Sequence, residues 1–75
     1  MIYFILNVSN NTVKIGTTTQ LANRLSTLQT ATSEKLVLLH TTSKYSEKDL
    51  HKLFANQKVS GEWFTFDLEL RQWLN

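Results

Sequence analysis

The sequence predicts a small protein of the α/β class, an α+β sandwich in which a mainly antiparallel sheet is covered by three short helices in the order ββαβαβα. Three observations predict this fold: an alternating apolar pattern at the start of the chain, leucines at helical spacing after it, and capping residues ahead of two later segments. With 75 residues, of which 41% are hydrophobic, the chain can bury one small core. We therefore expect residues 1–75 to form a single domain.

Residues 1–16 predict a β-hairpin around Asn10 and Asn11, because asparagine tolerates the positive φ that both central positions of a type I′ turn require. In this register Asn7 lies opposite Lys14, and one face of the hairpin is almost wholly apolar. That face consists of Ile2, Phe4, Leu6, Val8, Val13 and Ile15. The other face offers a phenol and an amine beside a glycine, and it is therefore the candidate site. Its residues are Tyr3, Ile5, Asn7, Lys14 and Gly16.

A first helix is predicted from about Gln20 to Thr30, since leucines at positions 21, 25 and 28 have the spacing of one buried stripe. Arg24 lies at the border of this stripe, where a long side chain can run along the sheet and emerge at its edge. The apolar run from Leu36 to His40 is too short for a helix. It predicts a third strand, which we expect to be central in the sheet.

A second helix is predicted to begin near Glu47, because Ser46 and Asp49 form a capping box in its aspartate form. Its expected buried residues are Leu50, Leu53 and Phe54. Glu47 and His51 are four residues apart, so they lie one above the other on a neighbouring face of this helix.

The last third of the chain predicts a turn at 56–61, a fourth strand at 62–66 and a final helix capped by Asp67. Within the strand, we expect Glu62 to face solvent and Trp63 to be a core ring. Leucine and tryptophan side chains of the final helix are expected to pack onto the core. These are Leu70, Trp73 and Leu74.

The composition excludes several kinds of site. The chain has no cysteine, which excludes a disulfide framework and a thiolate metal site and favours an intracellular, cytoplasmic protein. Two glycines are too few for a nucleotide-binding loop, so no organic cofactor is expected. No apolar run approaches the ~18 residues of a membrane span, so no membrane partner is expected. The net charge of +2 permits a nucleic-acid partner without requiring one.

Five side chains of different chemistry are left as candidates for a site. They are Tyr3, Lys14, Arg24, Glu47 and His51. A carboxylate with waters suits a hard divalent cation, a guanidinium can grip two phosphate oxygens, and a base can activate water. Together these groups suit hydrolysis of a phosphodiester. The spacing leaves open the alternative that they are ordinary surface and edge residues.

Four segments of the chain form a recognisable set. They are Ile2-Tyr3 with Lys14-Ile15-Gly16, the stretch from Arg24 to Thr30, Glu47-x-x-Leu50-His51-x-x-Phe54, and Gly61-Glu62-Trp63-Phe64. In this order and spacing, which span residues 2–66, the set resembles the GIY-YIG nuclease superfamily. The likeness is closest to a small phage and bacterial branch, in which the second motif reads Val-Lys-Ile-Gly.

The resemblance implies roles for individual residues. Tyr3 would position or deprotonate the attacking water, Arg24 would stabilise charge on the scissile phosphate, and Glu47 would hold one magnesium or manganese ion. Lys14 and His51 complete the expected catalytic set. Lys14 would stabilise a Tyr3 phenolate, because a nearby positive charge favours the ionised form. The chain departs from the superfamily pattern in its first motif, which lacks the opening glycine, and in its second, where Lys14 replaces tyrosine.

The function implied by the resemblance is metal-dependent hydrolysis of DNA phosphodiester bonds by an endonuclease, with DNA as the partner. If the protein is phage-encoded, it would act in the host cytoplasm. One alternative is a catalytically degenerate domain that binds DNA or a host protein without cutting. Another is an accessory domain that acts only when a partner supplies sequence recognition. A homodimer is also left open.

Overall fold

The computed structural model describes all residues, 1–75, which form five strands, three α-helices and one 3₁₀ turn. They are β1 (Ile2–Asn7), β2 (Thr12–Thr17), α1 (Leu21–Thr30), β3 (Leu36–Thr42), α2 (Glu47–Leu53), a 3₁₀ turn (Ala55–Gln57), β4 (Lys58–Ser60), β5 (Trp63–Thr65) and α3 (Leu68–Leu74). The strands form one antiparallel sheet in the order β3-β1-β2-β5-β4. This confirms the predicted α+β fold, and β4 is a further strand in the segment predicted to be a turn.

The hairpin of β1 and β2 pairs two residues away from the predicted register. Tyr3 lies opposite Gly16, and Lys14 lies opposite Ile5 instead of Asn7. Because successive side chains point to opposite faces, a shift of two residues leaves each paired side chain on its predicted face. Tyr3 and Lys14 therefore share one face of the sheet.

The hairpin turn is longer than the predicted two residues. The Asn7 side-chain oxygen accepts a hydrogen bond from the backbone N–H of Ser9 at 3.0 Å, and the Asn7 carbonyl accepts one from the N–H of Asn11 at 3.0 Å. These bonds start the turn directly after Asn7. Among the turn residues only Asn11 has a positive φ, of 56°. A type I′ turn needs a positive φ at both central residues, so the predicted turn type is wrong. Val8 consequently lies in the turn, with 51% of its surface exposed, and not on the apolar face.

The core lies between the apolar face of the sheet and helices α2 and α3. Its buried side chains are Ile2, Phe4, Val13, Ile15, Leu50, Phe54, Phe64 and Leu70. Trp73 and Leu74 pack against this cluster, which confirms the predicted packing of the last helix. The prediction that Leu53 is buried is wrong, since 52% of it is exposed. Helix α2 is so short that it buries only one line of residues four apart.

Helix α1 lies over the opposite face of the sheet and completes the sandwich. On that face Tyr3 and Ile5 are 2% and 0% exposed. The three leucines of the predicted stripe are half-buried, and Leu28 lines a cleft together with Lys14 from β2. Helix α1 therefore covers part of the candidate face, and this face is not open to solvent across its whole width.

Helices α2 and α3 begin at the predicted N-cap residues, although the Asp49 carboxylate does not make the reciprocal bond of the predicted capping box. The Ser46 hydroxyl accepts a hydrogen bond from the Asp49 N–H at 3.1 Å, so α2 begins at Glu47. The Asp67 carboxylate accepts one from the Leu70 N–H at 3.0 Å, and this bond lowers the pKa of Asp67. None of the helices has the length and hydrophobicity needed to cross a bilayer.

Strand β3 lies at one edge of the sheet, so its predicted central position is wrong. It pairs with the side of β1 that the hairpin partner β2 leaves free, and no strand pairs with its own outer side. At the opposite edge, Gly61 with a φ of 56° turns the chain between β4 and β5. This second hairpin pairs β5 with β2 and places Trp63 opposite Lys14.

Candidate active site

Tyr3 lies at the centre of the candidate face, with its phenol directly over Gly16 across the hairpin. A Cβ atom at position 16 would overlap the Tyr3 hydroxyl and ring. Gly16 does not have a positive φ. Glycine is therefore needed here because the phenol approaches the backbone closely, and not because the backbone is unusual.

Replacing Gly16 by alanine is expected to lower the free energy of unfolding by about 1–3 kcal/mol, since the added methyl group must displace a buried ring. Denaturant titration measures this change. Tyr3→Phe removes the oxygen that lies nearest to position 16, so the alanine should cost less in that background. An equal cost in the presence and absence of the Tyr3 hydroxyl would contradict the close approach.

Only 2% of Tyr3 is exposed, and its hydroxyl lies at the edge of this exposed part. It has no hydrogen-bond partner in the protein, and the single buried side-chain nitrogen or oxygen without a partner is Gln57 Oε1, so the hydroxyl reaches solvent. Burial of the ring raises the pKa of Tyr3, and the Arg24 guanidinium opposes this shift. The Glu62 and Glu47 carboxylates raise the pKa further. The net shift is upward, so the phenol is neutral at neutral pH.

Arg24 supplies an unpaired positive charge beside Tyr3. It is exposed on α1, and the one salt bridge of the protein joins two other residues. Its guanidinium is close enough to Tyr3 to act on the pKa of the phenol. A hollow of about 350 Å³, lined entirely by polar residues, opens beside it at the start of α1. A guanidinium in this setting can bind two phosphate oxygens.

Glu47 supplies the carboxylate of the site. It is half-buried at the first position of α2, and one of its oxygens accepts a hydrogen bond from the Thr17 hydroxyl at 2.9 Å. No group of three or more His, Cys, Asp or Glu side chains is placed to share a metal ion. Mg²⁺ is commonly bound by one or two carboxylates together with waters and substrate phosphates. Glu47, oriented by Thr17, fits an open site of that kind.

Lys14 faces the same side as Tyr3 but is engaged by other groups. Its Nζ lies 3.1 Å from a carboxylate oxygen of Glu62 and 5.4 Å from the ring centroid of Trp63. The pKa of Tyr3 is raised, and Lys14 is not among the charged groups that shift it, so the expected stabilisation of a Tyr3 phenolate by Lys14 stays a prediction. Lys14 is diagonal to Tyr3 in the hairpin, and the neighbouring Glu62 neutralises its charge.

His51 lies one helical turn after Glu47. It bonds β2 at Ile15, just beyond the residues of β2 that pair with β5. Its Nε2 lies 2.9 Å from the carbonyl oxygen of Ile15, and since a carbonyl can only accept, Nε2 donates this bond. The imidazole also packs edge-on against Phe64, with 4.9 Å between ring centroids. Only Nδ1 is left for chemistry. The catalytic role of His51 stays a prediction.

The predicted residues thus divide into two groups. Arg24 and Glu47 both act electrostatically on Tyr3, whereas Lys14 and His51 are held by partners of their own. They do not share a single cavity, because Arg24, Glu47 and Lys14 line three different hollows.

Sequence reasoning missed three neighbours of the site. Thr17 orients Glu47, Glu62 pairs with Lys14, and Trp63 lies beside Lys14. The expectation that Trp63 is a core ring is wrong, because it lies outside the core cluster on the opposite face of the sheet. The available signal was the Gly-Glu-Trp-Phe segment, whose strand pairs with β2.

The structure defines a small α+β domain with a polar site built on its first hairpin. The family model of the T5orf172 domain matches residues 1–75, so the chain belongs to the T5orf172 family. This domain is phage-associated and nuclease-related, which indicates a nuclease-like or DNA-binding role. No curated protein and no solved structure matches the chain at a significant level.

Proposed function

We propose that this domain is a metal-dependent endonuclease that hydrolyses DNA phosphodiester bonds by GIY-YIG-type chemistry. The observation that carries this proposal is the arrangement around Tyr3: its free hydroxyl is within electrostatic reach of the unpaired guanidinium of Arg24 and of the carboxylate of Glu47. Membership of a nuclease-related family supports it.

Each of these groups has a separate part in the proposed reaction. A magnesium or manganese ion held by Glu47 would supply Lewis-acid stabilisation of charge on the phosphate. Arg24 binds two non-bridging oxygens of the scissile phosphate through its planar fork. Tyr3 holds the attacking water by a hydrogen bond. Because its pKa is raised, the neutral phenol is better suited to positioning the water than to removing a proton from it.

Lys14 and His51 support this arrangement in the proposal. Lys14 holds Glu62 near the site through their ion pair. His51 fixes the edge of β2 through the Ile15 carbonyl, which keeps Gly16 under the phenol of Tyr3.

The direct test is incubation of the purified protein with supercoiled plasmid, with magnesium or manganese or with a chelator. We expect nicked or linear product on an agarose gel with either metal and none with the chelator. Cleavage that persists in the chelator would contradict the metal requirement. Binding without cleavage under every divalent metal would replace the nuclease by the second candidate.

The second candidate is a degenerate domain that binds DNA or a host protein without cutting. Two observations favour it: burial raises the pKa of Tyr3, and Glu62 neutralises Lys14. In such a module Arg24 still provides a phosphate contact, and its affinity for DNA should fall as the salt concentration rises. An accessory domain that cuts only with a recognition partner, or as a homodimer, would need that partner added to the plasmid assay.

A further inference from the structure

We infer that the cleft beside Lys14 binds one unpaired nucleobase of the DNA, stacked on Trp63, so that the favoured substrate carries an unpaired nucleotide next to the cleavage site. This inference rests on the proposed function, because that function identifies the polymer as DNA. It adds the class of DNA structure that the domain selects.

The cleft has the size and the mixed lining that a base requires. Its volume is about 440 Å³, and it opens between the sheet and the C-terminal end of α1. Apolar walls are provided by Leu28, Leu36, Val59 and Trp63, and polar groups by Asn10 and Ser60. A nucleobase has apolar faces and a polar edge, so a pocket of this composition satisfies both.

Trp63 is the side chain suited to stacking. It is half-buried, and it takes no part in the core cluster on the other face of the sheet. The Nζ of Lys14 lies over this ring, 5.4 Å from its centroid, and is paired with Glu62, so the base would stack on the other face of Trp63. Aromatic rings that stack on single-stranded bases, with positive charge along the backbone, are the usual elements of such sites.

Two polar groups at the cleft have free hydrogen-bonding capacity for the edge of a base. The side-chain oxygen of Asn10 accepts from the Thr12 hydroxyl at 2.6 Å, which leaves the amide N–H₂ of Asn10 as a donor. Ser60, at the end of β4, is exposed and its hydroxyl forms no hydrogen bond within the protein. These groups can reach the Watson–Crick edge only when the base is unpaired, because pairing occupies that edge.

The cleft is at a suitable distance from the proposed cleavage site. Lys14, at its wall, is two residues along β2 from Gly16, over which the Tyr3 phenol lies. Two residues of an antiparallel strand span roughly 7 Å. One nucleotide of a single strand can bridge this distance, so the scissile phosphate and the captured base belong to neighbouring positions of one strand.

The inference is tested by comparing three DNA duplexes of the same sequence: one fully paired, one with a single unpaired base, and one with an abasic nucleotide in place of that base. Dissociation constants are measured by fluorescence anisotropy with a chelator, so that binding is separated from cleavage. We expect the duplex with the unpaired base to bind about five- to 150-fold more tightly than the abasic duplex. The same base should quench the fluorescence of Trp63.

Variants show whether this preference comes from the cleft. Trp63→Leu should remove the preference, whereas Tyr45→Leu, a matched change at an aromatic ring that is 47% exposed elsewhere, should keep it. If circular dichroism finds Trp63→Leu unfolded, Ala31→Gln serves instead, because it places a longer side chain at the mouth of the cleft from an exposed position.

The outcomes separate this inference from the proposed function. Equal affinity of the wild-type protein for all three duplexes, with plasmid cleavage intact, would overturn the base cleft and leave the nuclease. A preference that survives in folded Trp63→Leu would also overturn it. A preference without cleavage would support the cleft and remove the nuclease. Absence of both binding and cleavage would overturn both.

Discussion

Glu47→Gln is expected to lower the rate of plasmid cleavage at least about 100-fold while the protein stays folded. The amide keeps an oxygen that can accept the hydrogen bond from the Thr17 hydroxyl, so the local structure is preserved. It loses the negative charge that a hard cation requires. The lost interaction with the α2 dipole costs only about 0.3–1 kcal/mol.

Asp49→Asn is the matched control for this variant. Asp49 lies in the same first turn of α2, so its change removes the same charge from the same helix end. It is exposed and takes no part in the pKa shift of Tyr3. We expect cleavage by Asp49→Asn to remain near the wild-type rate. A similar loss in both variants would mean that the charge of the helix end matters, and that Glu47 has no specific role as a metal ligand.

The faces of the hairpin could be predicted from the sequence, whereas its turn could not. Alternation of apolar and polar residues has a period of two, so it assigns Tyr3 and Lys14 to one face in either register. Several asparagines in this segment could begin the turn. The turn begins at Asn7, whose side-chain oxygen accepts a hydrogen bond from the Ser9 N–H, and it therefore starts before Asn10.

The order of the strands in the sheet could not be predicted from local patterns in the sequence. Strand β3 has the apolar run of a central strand, yet it lies at the edge of the sheet and pairs only with β1. Strand β4 is three residues long and has a single apolar residue, Val59, so the sequence shows no alternating pattern there. Short edge strands are defined by their partner's hydrogen bonds, and these become visible only in the folded chain.

The position of a site residue could be predicted from the sequence where a single helix or strand determines it. The position of Glu47 follows from the Ser46 N-cap of α2, and that of Arg24 from the leucine stripe of α1. The neutralisation of Lys14 was not predictable, because Glu62 reaches it only through the pairing of β2 with β5. The raised pKa of Tyr3 likewise depends on burial beneath α1, which no spacing in the sequence expresses.

Tyr3→Phe is expected to lower the cleavage rate about 100-fold or more, since positioned groups that act on a reacting water contribute roughly 10²–10⁴ to the rate. The variant removes one oxygen and leaves the ring over Gly16. That oxygen has no partner in the protein, so its removal breaks no internal hydrogen bond. Denaturant midpoints of the two proteins should therefore agree closely, which assigns any loss of rate to the chemistry.

The pH dependence of the remaining rate separates the two ways in which Tyr3 could act. If a phenolate removed the proton of the water, the wild-type rate would rise with pH towards the raised pKa of Tyr3, and Tyr3→Phe would lose that rise. If the neutral phenol holds the water, as we propose, the ratio of the two rates stays constant between neutral pH and the onset of ionisation. Equal rates for both proteins at every pH would show that the hydroxyl has no part in cleavage. The degenerate binding module predicts instead that neither protein cuts and that both bind DNA equally.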